Sequence, residues 1–334
     1  MRSSLAEQLR CPACNASGAF RVRGDVVDRS EVKDGYLICG HCARDYAIRN
    51  FVPRFVGDKN YARSFGFQWN KHATTQIDRA NGNELSRRRF FAATAWPEVM
   101  RGQKLLEAGS GAGRFTAIAA DTGADVFSFD YSNAVDANLA NNGRRENVHL
   151  LQADIVNIPL PRRFFDRVLC LGVLQHCPDP WIAFQSLVTH LAPGGQIVID
   201  VYSLKWRTLF HPKYWLRPIT TRMSEERLHK RVTWAVPKLL PLKRWLTDRV
   251  TLGRYLAYSL PVAYQHEWRE LANEHGAAYI EELSILDTFD WYSPAHDHPQ
   301  TLSRVRQWFK SAGLENVSVA YGPNGIVGRG SQPS

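Results

Sequence analysis

Short apolar stretches alternate with helical patterns through the middle of the chain, from about residue 103 to residue 202. Each apolar stretch has the length of a buried strand, and the segments between them space their apolar positions by three and four residues. Alternation of this kind predicts βαβ units and a parallel sheet that binds its ligand at the carboxyl ends of the strands. Strands are predicted at KLLEAG, DVFSFD, VHLLQAD, FDRVLCLG and GGQIVIDVY, and helices near 113–121, 132–142 and 180–191.

The alternation stops at residues 203–270, where the segments at 224–240 and 242–260 have the spacing of amphipathic helices. It resumes after the polar segment LDTFDWYSPAHDHPQT at 286–301, with a helix in QTLSRVRQWFKSAGL and strands in ENVSVA and NGIVGRG. We therefore expect an α/β fold with a seven-stranded Rossmann-like sheet, a helical insertion after its fifth strand, and a loop at 286–301 before the last helix.

These changes of pattern divide the chain into five parts. They are a cysteine-containing module at 1–56, a linker and helical lid at 57–102, the ligand-binding core at 103–202, a tryptophan-rich helical insertion at 203–285, and an acceptor loop with the last helix and strands at 286–334.

The first part contains two Cys-x-x-Cys pairs, Cys11 with Cys14 and Cys39 with Cys42, separated by 24 residues. Two such pairs can close a tetrahedron around Zn²⁺, and a module this small needs that closure to fold. A redox motif of the thioredoxin type is the alternative, but no βαβ pattern surrounds either pair. Four thiolate ligands leave no open position, so the predicted zinc is structural.

Charge adds a second clue, because 42 Lys and Arg residues against 32 Asp and Glu give the chain a net charge of +10. Such a balance suits nucleic acid, an anionic membrane surface or a phosphorylated substrate. The first residues lack the apolar core of a secretory signal. A cytoplasmic protein, in solution or at the periphery of a membrane, is the expectation.

Acidic residues and glycines stand where the predicted strands end. The run from Glu107 to Gly113 follows the first strand as GxGxG, and Arg114 replaces the glycine that a dinucleotide-binding GxGxxG needs. Asp130 ends the second strand, where a carboxylate accepts hydrogen bonds from both hydroxyls of a ribose. Asp154 ends the third strand and can accept a hydrogen bond from the exocyclic amine of a base. Together they describe a nucleoside site.

With these motifs in order, the chain resembles the class I S-adenosylmethionine-dependent methyltransferases of the type 11 group. The resemblance rests on EAGSGAGRF, SFDYS, QADI, FDRVLCLGVLQHCPDP and LAPGGQIVID, between about residues 104 and 202. The first 56 residues resemble the zinc ribbon that accompanies some of these enzymes. The resemblance implies that S-adenosylmethionine is bound by Glu107, Gly109, Ser110, Gly111 and Gly113 around the methionine, Asp130 and Tyr131 at the ribose, Asp154 and Ile155 at the adenine, and Leu171, Gly172 and Gln175 facing the methyl group.

The acceptor side is expected in the loop at 286–301. His296, Asp297 and His298 offer a carboxylate-supported imidazole as a general base. Alternatively, Asp297 or Asp287 caps the following helix and the prolines fix the loop, and metal ligation is a third reading. His176 faces either the pocket or nearby backbone.

The insertion has 14 Lys and Arg against five acids between residues 203 and 270, and five of the ten tryptophans. It is interpreted as a packed helical cap or as a face for an anionic membrane, a lipid-linked substrate or RNA. The expected function is methyl transfer to oxygen or nitrogen of a small molecule: a sugar, a glycan intermediate, an isoprenoid-linked molecule or a secondary-metabolite precursor. An RNA methyltransferase and a noncatalytic scaffold that binds S-adenosylmethionine are the rival hypotheses.

Overall fold

A computed structural model of the chain describes residues 1–28, 31–57, 59–143, 145–249 and 253–334. The core is a seven-stranded sheet in the order β7-β6-β5-β8-β9-β11-β10, in which β5 to β9 are parallel and the last two strands antiparallel. This is the predicted Rossmann-like sheet. Its strands and helices are β5 Lys104–Ala108, α5 Arg114–Asp121, β6 Asp125–Asp130, α6 Val135–Asn142, β7 Val148–Gln152, β8 Phe165–Leu171, α7 Pro180–Val188, β9 Leu191–Val201, α12 Leu302–Ser311, β10 Glu315–Gly322 and β11 Gly325–Ser331.

The cysteine-containing module forms a small antiparallel sheet, β1-β2-β3-β4, preceded by a short helix. It packs on the β7 edge of the main sheet, where the Phe55 backbone amide donates to the Gln152 carbonyl at 2.8 Å and the Arg10 amide donates to the Pro159 carbonyl at 3.0 Å. Leu9 and Cys11 consequently belong to the same apolar core as Leu151. The elements are α1 Ser3–Gln8, β1 Phe20–Asp28, β2 Glu31–Cys39, β3 Asp45–Arg49 and β4 Val52–Pro53.

Two groups of helices cover the carboxyl ends of the strands. The segment before the core supplies α2 Arg63–Lys71, α3 Asp78–Asn81 and α4 Leu85–Thr94. The insertion supplies α8 Pro212–Thr220, α9 Glu225–Arg249, α10 Gly253–Tyr258 and α11 Trp268–Tyr292, and short 3₁₀ turns lie at Leu174–His176 and Trp206–Phe210. The insertion has its own apolar core between α9 and α11. No helix of the described residues is both long and apolar enough to span a bilayer.

The structure differs from the sequence-based expectation in two helices. α9 continues through Pro237 and Pro241, because its buried side chains at 228, 232, 236 and 240 pack on α11 and hold the helix together. The predicted helix over 242–260 includes residues 250–252, which lie outside the described residues; its two described parts belong to α9 and α10.

The second difference concerns the expected loop at 286–301, which is helical up to Tyr292. The loop begins only at Ser293, immediately before Pro294. The last helix is capped by Thr301, whose hydroxyl accepts from the Arg304 amide at 3.2 Å. Asp287 and Asp297 therefore do not serve as its cap.

Candidate active site

A cavity of about 740 Å³ lies over the carboxyl ends of β5, β6, β8 and β9. Its floor comes from the turns after those strands. One wall comes from α2 and α4, and another comes from α11, which packs against α2. A volume of this size suits a small-molecule ligand.

The glycine turn after β5 is built for close approach of a ligand. Gly109, Ser110 and Gly111 line the cavity, whereas Gly113 lies behind them. Gly113 has φ +84°, and a Cβ there would lie 2.1 Å from Oδ1 of Asn138. Gly111 has φ +53°, and its amide donates to Oδ2 of Asp130 at 2.9 Å. Glycine is therefore required by both the left-handed backbone and the packing.

Glu107 lies beneath this turn and does not line the cavity. Its carboxylate accepts hydrogen bonds from the hydroxyls of Thr116 and Ser128, the second at 2.8 Å. Burial raises the pKa of Glu107 to about 7, although these two hydrogen bonds oppose the shift. Through Glu107, the end of β5 is hydrogen-bonded to α5 and to β6.

Asp130 and Tyr131 occupy the expected ribose position at the end of β6, and both line the cavity. Oδ1 of Asp130 accepts from the amide and hydroxyl of Ser132, at 2.8 and 2.7 Å. Tyr131 stacks on Tyr61, with ring centroids 4.7 Å apart. Asp130 is thereby fixed at the cavity surface, where its remaining acceptor capacity is available to a ligand.

The other predicted cofactor residues divide into two groups. Ile155, Leu171 and Gly172 line the cavity. Asp154 and Gln175 do not: Asp154 accepts from the Val156 amide at 3.0 Å, and Gln175 is fully buried. At the end of the third strand Ile155 lines the cavity, and the Asp154 carboxylate lies close enough to add to the effect of burial in raising the pKa values of the lining residues Tyr61 and Tyr131.

The structure separates the four residues expected to be catalytic. His176 lines the cavity, but His296, Asp297 and His298 do not. The Asp297 carboxylate is paired with Nζ of Lys213 at 2.7 Å, and the His298 amide donates to the Gln175 carbonyl at 2.7 Å. Of these three residues, His296 contacts His176, through its backbone carbonyl.

His176 itself has one side fixed. Its Nδ1 lies 3.0 Å from the carbonyl of His296, which can only accept, so Nδ1 carries the proton and Nε2 is the acceptor of the ring. Burial lowers the pKa of His176, although nearby carboxylates oppose the shift. The imidazole is therefore neutral near neutral pH.

The α11 wall contains acidic groups that the reading of 286–301 as a loop had missed. Asp287 and Asp290 line the cavity, and the Tyr202 hydroxyl donates to Oδ2 of Asp290 at 2.9 Å. Burial and the neighbouring Asp290 raise the pKa of Asp287 to about 7, against the opposing charges of Arg114 and Arg89. The signal was present in the sequence, because the lining positions of this stretch follow helical spacing: 279, 283, 286, 287, 290 and 291.

Two arginines complete the lining on the side of α4 and α5. Arg89 is paired with Asp200 at 2.8 Å, and Asn324 also donates to Asp200, at 3.2 Å. Burial and the charge of Arg89 lower the pKa of Arg114 to about 9. The position of Arg114 beside the glycine turn suits a ligand carboxylate.

The four cysteines of the N-terminal module converge at a separate point. Their sulfurs all lie within 4.8 Å of one another, with Cys11 to Cys42 and Cys14 to Cys39 both at 3.7 Å. These separations exclude disulfides and match the spacing of about 3.8 Å expected for sulfurs around a tetrahedral zinc ion. The residues fit Zn²⁺, which would tie the two knuckles together without an open position for chemistry.

Known proteins resemble parts of the chain of different lengths. Residues 106–199 match the methyltransferase domain family. A malonyl-(acyl-carrier protein) O-methyltransferase of Enterobacter lignolyticus is 36% identical over 115 residues, 34% of this chain and 44% of the relative. An uncharacterized protein of a Synechococcus species is 30% identical over 236 residues, 67% of this chain and 50% of the relative. Among solved structures, Haemonchus contortus phosphoethanolamine N-methyltransferase 2 in complex with S-adenosyl-L-methionine has a TM-score of 0.45 and 12% identity, covering 82% of this chain and 58% of that one.

The chain spans half or less of the length of these two curated relatives. The matched segment nevertheless includes the glycine turn, the Asp130 strand end and the floor at Leu171 and Gly172. The chain therefore carries, at residues 106–199, a methyltransferase domain of the class I, S-adenosylmethionine-dependent family.

Proposed function

We propose that the protein transfers the methyl group of S-adenosylmethionine to an oxygen or nitrogen atom of a small polar acceptor bound against α11. The observation that carries this proposal is the composition of that wall, where carboxylates and aromatic rings face the same cavity as the glycine turn. When bound, S-adenosylmethionine supplies a methyl group already activated on a sulfonium.

The cofactor half of the cavity is assigned by its donors and acceptors. Asp130 would accept from the ribose hydroxyls and Ile155 would pack on the adenine. Arg114 would pair with the methionine carboxylate. Asp154 and Gln175 are not among the lining residues of the cavity, and this assignment gives them a supporting part.

The acceptor half favours a sugar or another polyhydroxylated molecule. Trp268, Tyr279 and Trp291 offer flat surfaces for a ring, while Asp287 and Asp290 offer acceptors for hydroxyl hydrogens. Isoprenoid-linked and secondary-metabolite precursors with such a polar ring fall into the same class. The wall and the α2–α4 lid leave a chamber for a compact acceptor.

Asp287 is the proposed general base. Transfer to a hydroxyl forms a C–O bond, breaks the S–CH₃ bond and releases one proton, which the Asp287 carboxylate would accept. With a pKa of about 7, it can take up and release a proton near neutral pH. His176, neutral and with Nε2 as acceptor, is positioned to orient the acceptor or to share the proton.

The test is transfer of tritiated methyl from S-adenosylmethionine to size-fractionated lysate, before and after RNase treatment. Label in a small or lipid-extractable fraction supports the proposal. Asp287→Asn should lower that transfer at least roughly 100-fold with cofactor affinity retained. Glu274→Gln, a change at an exposed residue of α11 before the break in the helix at Gly276, is the control and should transfer normally.

RNA methylation remains the second candidate because the insertion is strongly basic. Label in an RNase-sensitive polymer, with binding that weakens steeply as salt rises, would favour it over a small acceptor. Binding of S-adenosylmethionine in calorimetry, without methyl transfer to any fraction, would instead favour the noncatalytic scaffold.

A further inference from the structure

Helix α8 packs with its polar side inward. Lys213 reaches Asp297 at 2.7 Å, and the Arg217 guanidinium donates to the carbonyls of Trp291 and Pro294, at 3.3 and 2.7 Å. The Thr220 hydroxyl donates to the Tyr292 carbonyl at 3.0 Å. The groups that normally keep a surface helix in contact with water are thus engaged with the end of α11 and the loop after it.

The outward side of α8 is correspondingly apolar. Trp215 and Ile219 are 70% and 61% exposed and lie one turn apart, and Leu216 is beside them. In the turn before the helix, Trp206 and Phe210 are 73% and 63% exposed, with their rings 6.2 Å apart. This orientation is the reverse of the usual amphipathic surface helix.

Exposed apolar side chains are also found on α9 and α10. Ring centroids of His211, at the start of α8, and Tyr258, at the end of α10, are 4.8 Å apart, so α8 and α10 are in contact, and α10 packs on α9. Of nineteen exposed large apolar side chains among the described residues, eleven lie in this region, and we call them the exposed apolar face: Leu204, Trp206, Phe210, Trp215, Leu216, Ile219, Trp234, Leu242, Trp245, Tyr255 and Leu256.

Basic side chains accompany this face. Between residues 204 and 256 the sequence has 13 Lys and Arg against three acids, and of the 13 Lys213 and Lys243 are buried away from this face. Lys205, Arg227, Lys230 and Arg231 are exposed, and Nζ of Lys238 lies 3.6 Å from the ring centroid of Trp234. Exposed tryptophans mixed with lysine and arginine suit the boundary between lipid headgroups and acyl chains.

We propose that the exposed apolar face docks the protein on the surface of a bilayer that contains anionic lipids. Tryptophan and the aliphatic side chains would enter the headgroup region, and the basic side chains would contact lipid phosphates. The charge complementarity selects a membrane over a second copy of the chain, because two copies would bring these positive charges together.

Flotation with vesicles tests this docking. Vesicles of phosphatidylcholine with about 30% phosphatidylglycerol should carry the protein upward, and vesicles of phosphatidylcholine alone should not. Raising NaCl to about 0.5 M should release much of the bound protein. Equal flotation with both kinds of vesicle, or none with either, would overturn the proposal.

Variants locate the contact. The double variant Trp206→Ser, Phe210→Ser should lower partition into the anionic vesicles at least roughly tenfold, and Trp234→Ser with Trp245→Ser should do the same. Ile182→Ser, at an exposed apolar residue outside the face, is the control and should bind as the wild type does. Circular dichroism checks that each variant is folded.

A second copy of the chain is the other occupant that the experiment must detect. Light scattering after size exclusion should show the same mass for the wild type and for the two double variants. A wild-type dimer that becomes a monomer in these variants, without vesicle binding, would assign the face to self-association.

Discussion

Asp130 sits at the cavity surface with each carboxylate oxygen already oriented by a backbone amide. Replacing it with alanine removes the proposed ribose acceptor, and two lost hydrogen bonds to a charged group should weaken S-adenosylmethionine binding by roughly 3 kcal/mol, more than 100-fold. Isothermal titration calorimetry measures this loss. Asp125→Ala, at the other end of the same strand, should leave the affinity unchanged, and equal losses in both variants would mean that the ribose contact is misassigned.

Asp287 gives the site a defined pH dependence. Since the pKa of Asp287 is raised to about 7 by burial and by Asp290, its carboxylate becomes available as a base only as the pH rises through that value. We expect kcat/KM to increase between pH 6 and about pH 8. Asp287→Asn should remove this rise along with most of the activity, and an unchanged profile in the residual activity of the variant would place the titrating group elsewhere.

The same carboxyl also makes a prediction about stability that needs no substrate. Its pKa is 3.8 in an ordinary environment and higher in the folded protein, so the folded state holds the proton more tightly between the two values. This contribution to stability is present at low pH and is lost as the pH rises through about 7. Asp287→Asn should therefore raise Tm relative to wild type more at pH 8 than at pH 5, and Glu274→Gln should show no such trend.

At the scale of single residues, the sequence predicted where a residue lies in the fold better than what its side chain contacts. The spacing of strand ends placed Asp130 and the glycine turn correctly at the mouth of the sheet, because strand length and turn chemistry are local. The direction of a side chain is not local, and Glu107 shows this: Thr116 and Ser128 draw its carboxylate beneath the turn, and only the packed structure reveals them.

At the scale of elements, the end of α11 illustrates a conflict between two local signals. Aspartates and prolines in 286–301 indicated a loop, whereas the positions at 283, 286, 287, 290 and 291 follow helical spacing. Packing against α9 stabilises the helical conformation of this segment up to Tyr292, and the helix ends before Pro294. The wall of the cavity thus consists of a helix face, which holds its groups more rigidly than a loop.

The loop after α11 is tied to α8 by the pair of Asp297 and Lys213, whose side chains are 2% and 10% exposed. Asp297→Ala would leave the ammonium buried without its partner, so we expect a loss of roughly 3 kcal/mol in the free energy of unfolding, measured in urea. Lys213 and its neighbours hold the pKa of Asp297 below its usual value against the effect of burial.

A second variant in the same loop, His298→Ala, distinguishes a role in stability from a role in catalysis. His298→Ala alters the exposed end of the same loop, whose backbone amide contact with Gln175 is independent of the side chain. It should retain activity within a few-fold and full stability. A variant that is stable but inactive would restore His298 to the catalytic machinery.

At the scale of the whole molecule, alternation of strands and helices was enough to predict the seven-stranded sheet, since each βαβ unit is specified by its own sequence. The way in which the N-terminal module packs on the main sheet is not specified by a local sequence pattern. Nothing in the cysteine spacing indicated that the N-terminal module would dock on β7, a contact made by backbone groups of Arg10 and Phe55 and by the pair of Arg54 and Asp136 at 2.5 Å.

That docking makes the proposed zinc a support for the main sheet as well as for its own module. Chelation, or Cys39→Ser, should remove one zinc per chain, as measured by mass spectrometry, and lower stability by several kcal/mol. His41→Ala changes the exposed residue between two ligands and should keep the metal. Because Phe55 is held by Gln152, the amides of β7 should exchange with deuterium faster once the metal is gone. Unchanged exchange in β7 would show that the module loses its fold without affecting the sheet, and retention of zinc after Cys39→Ser would contradict the four-cysteine site itself.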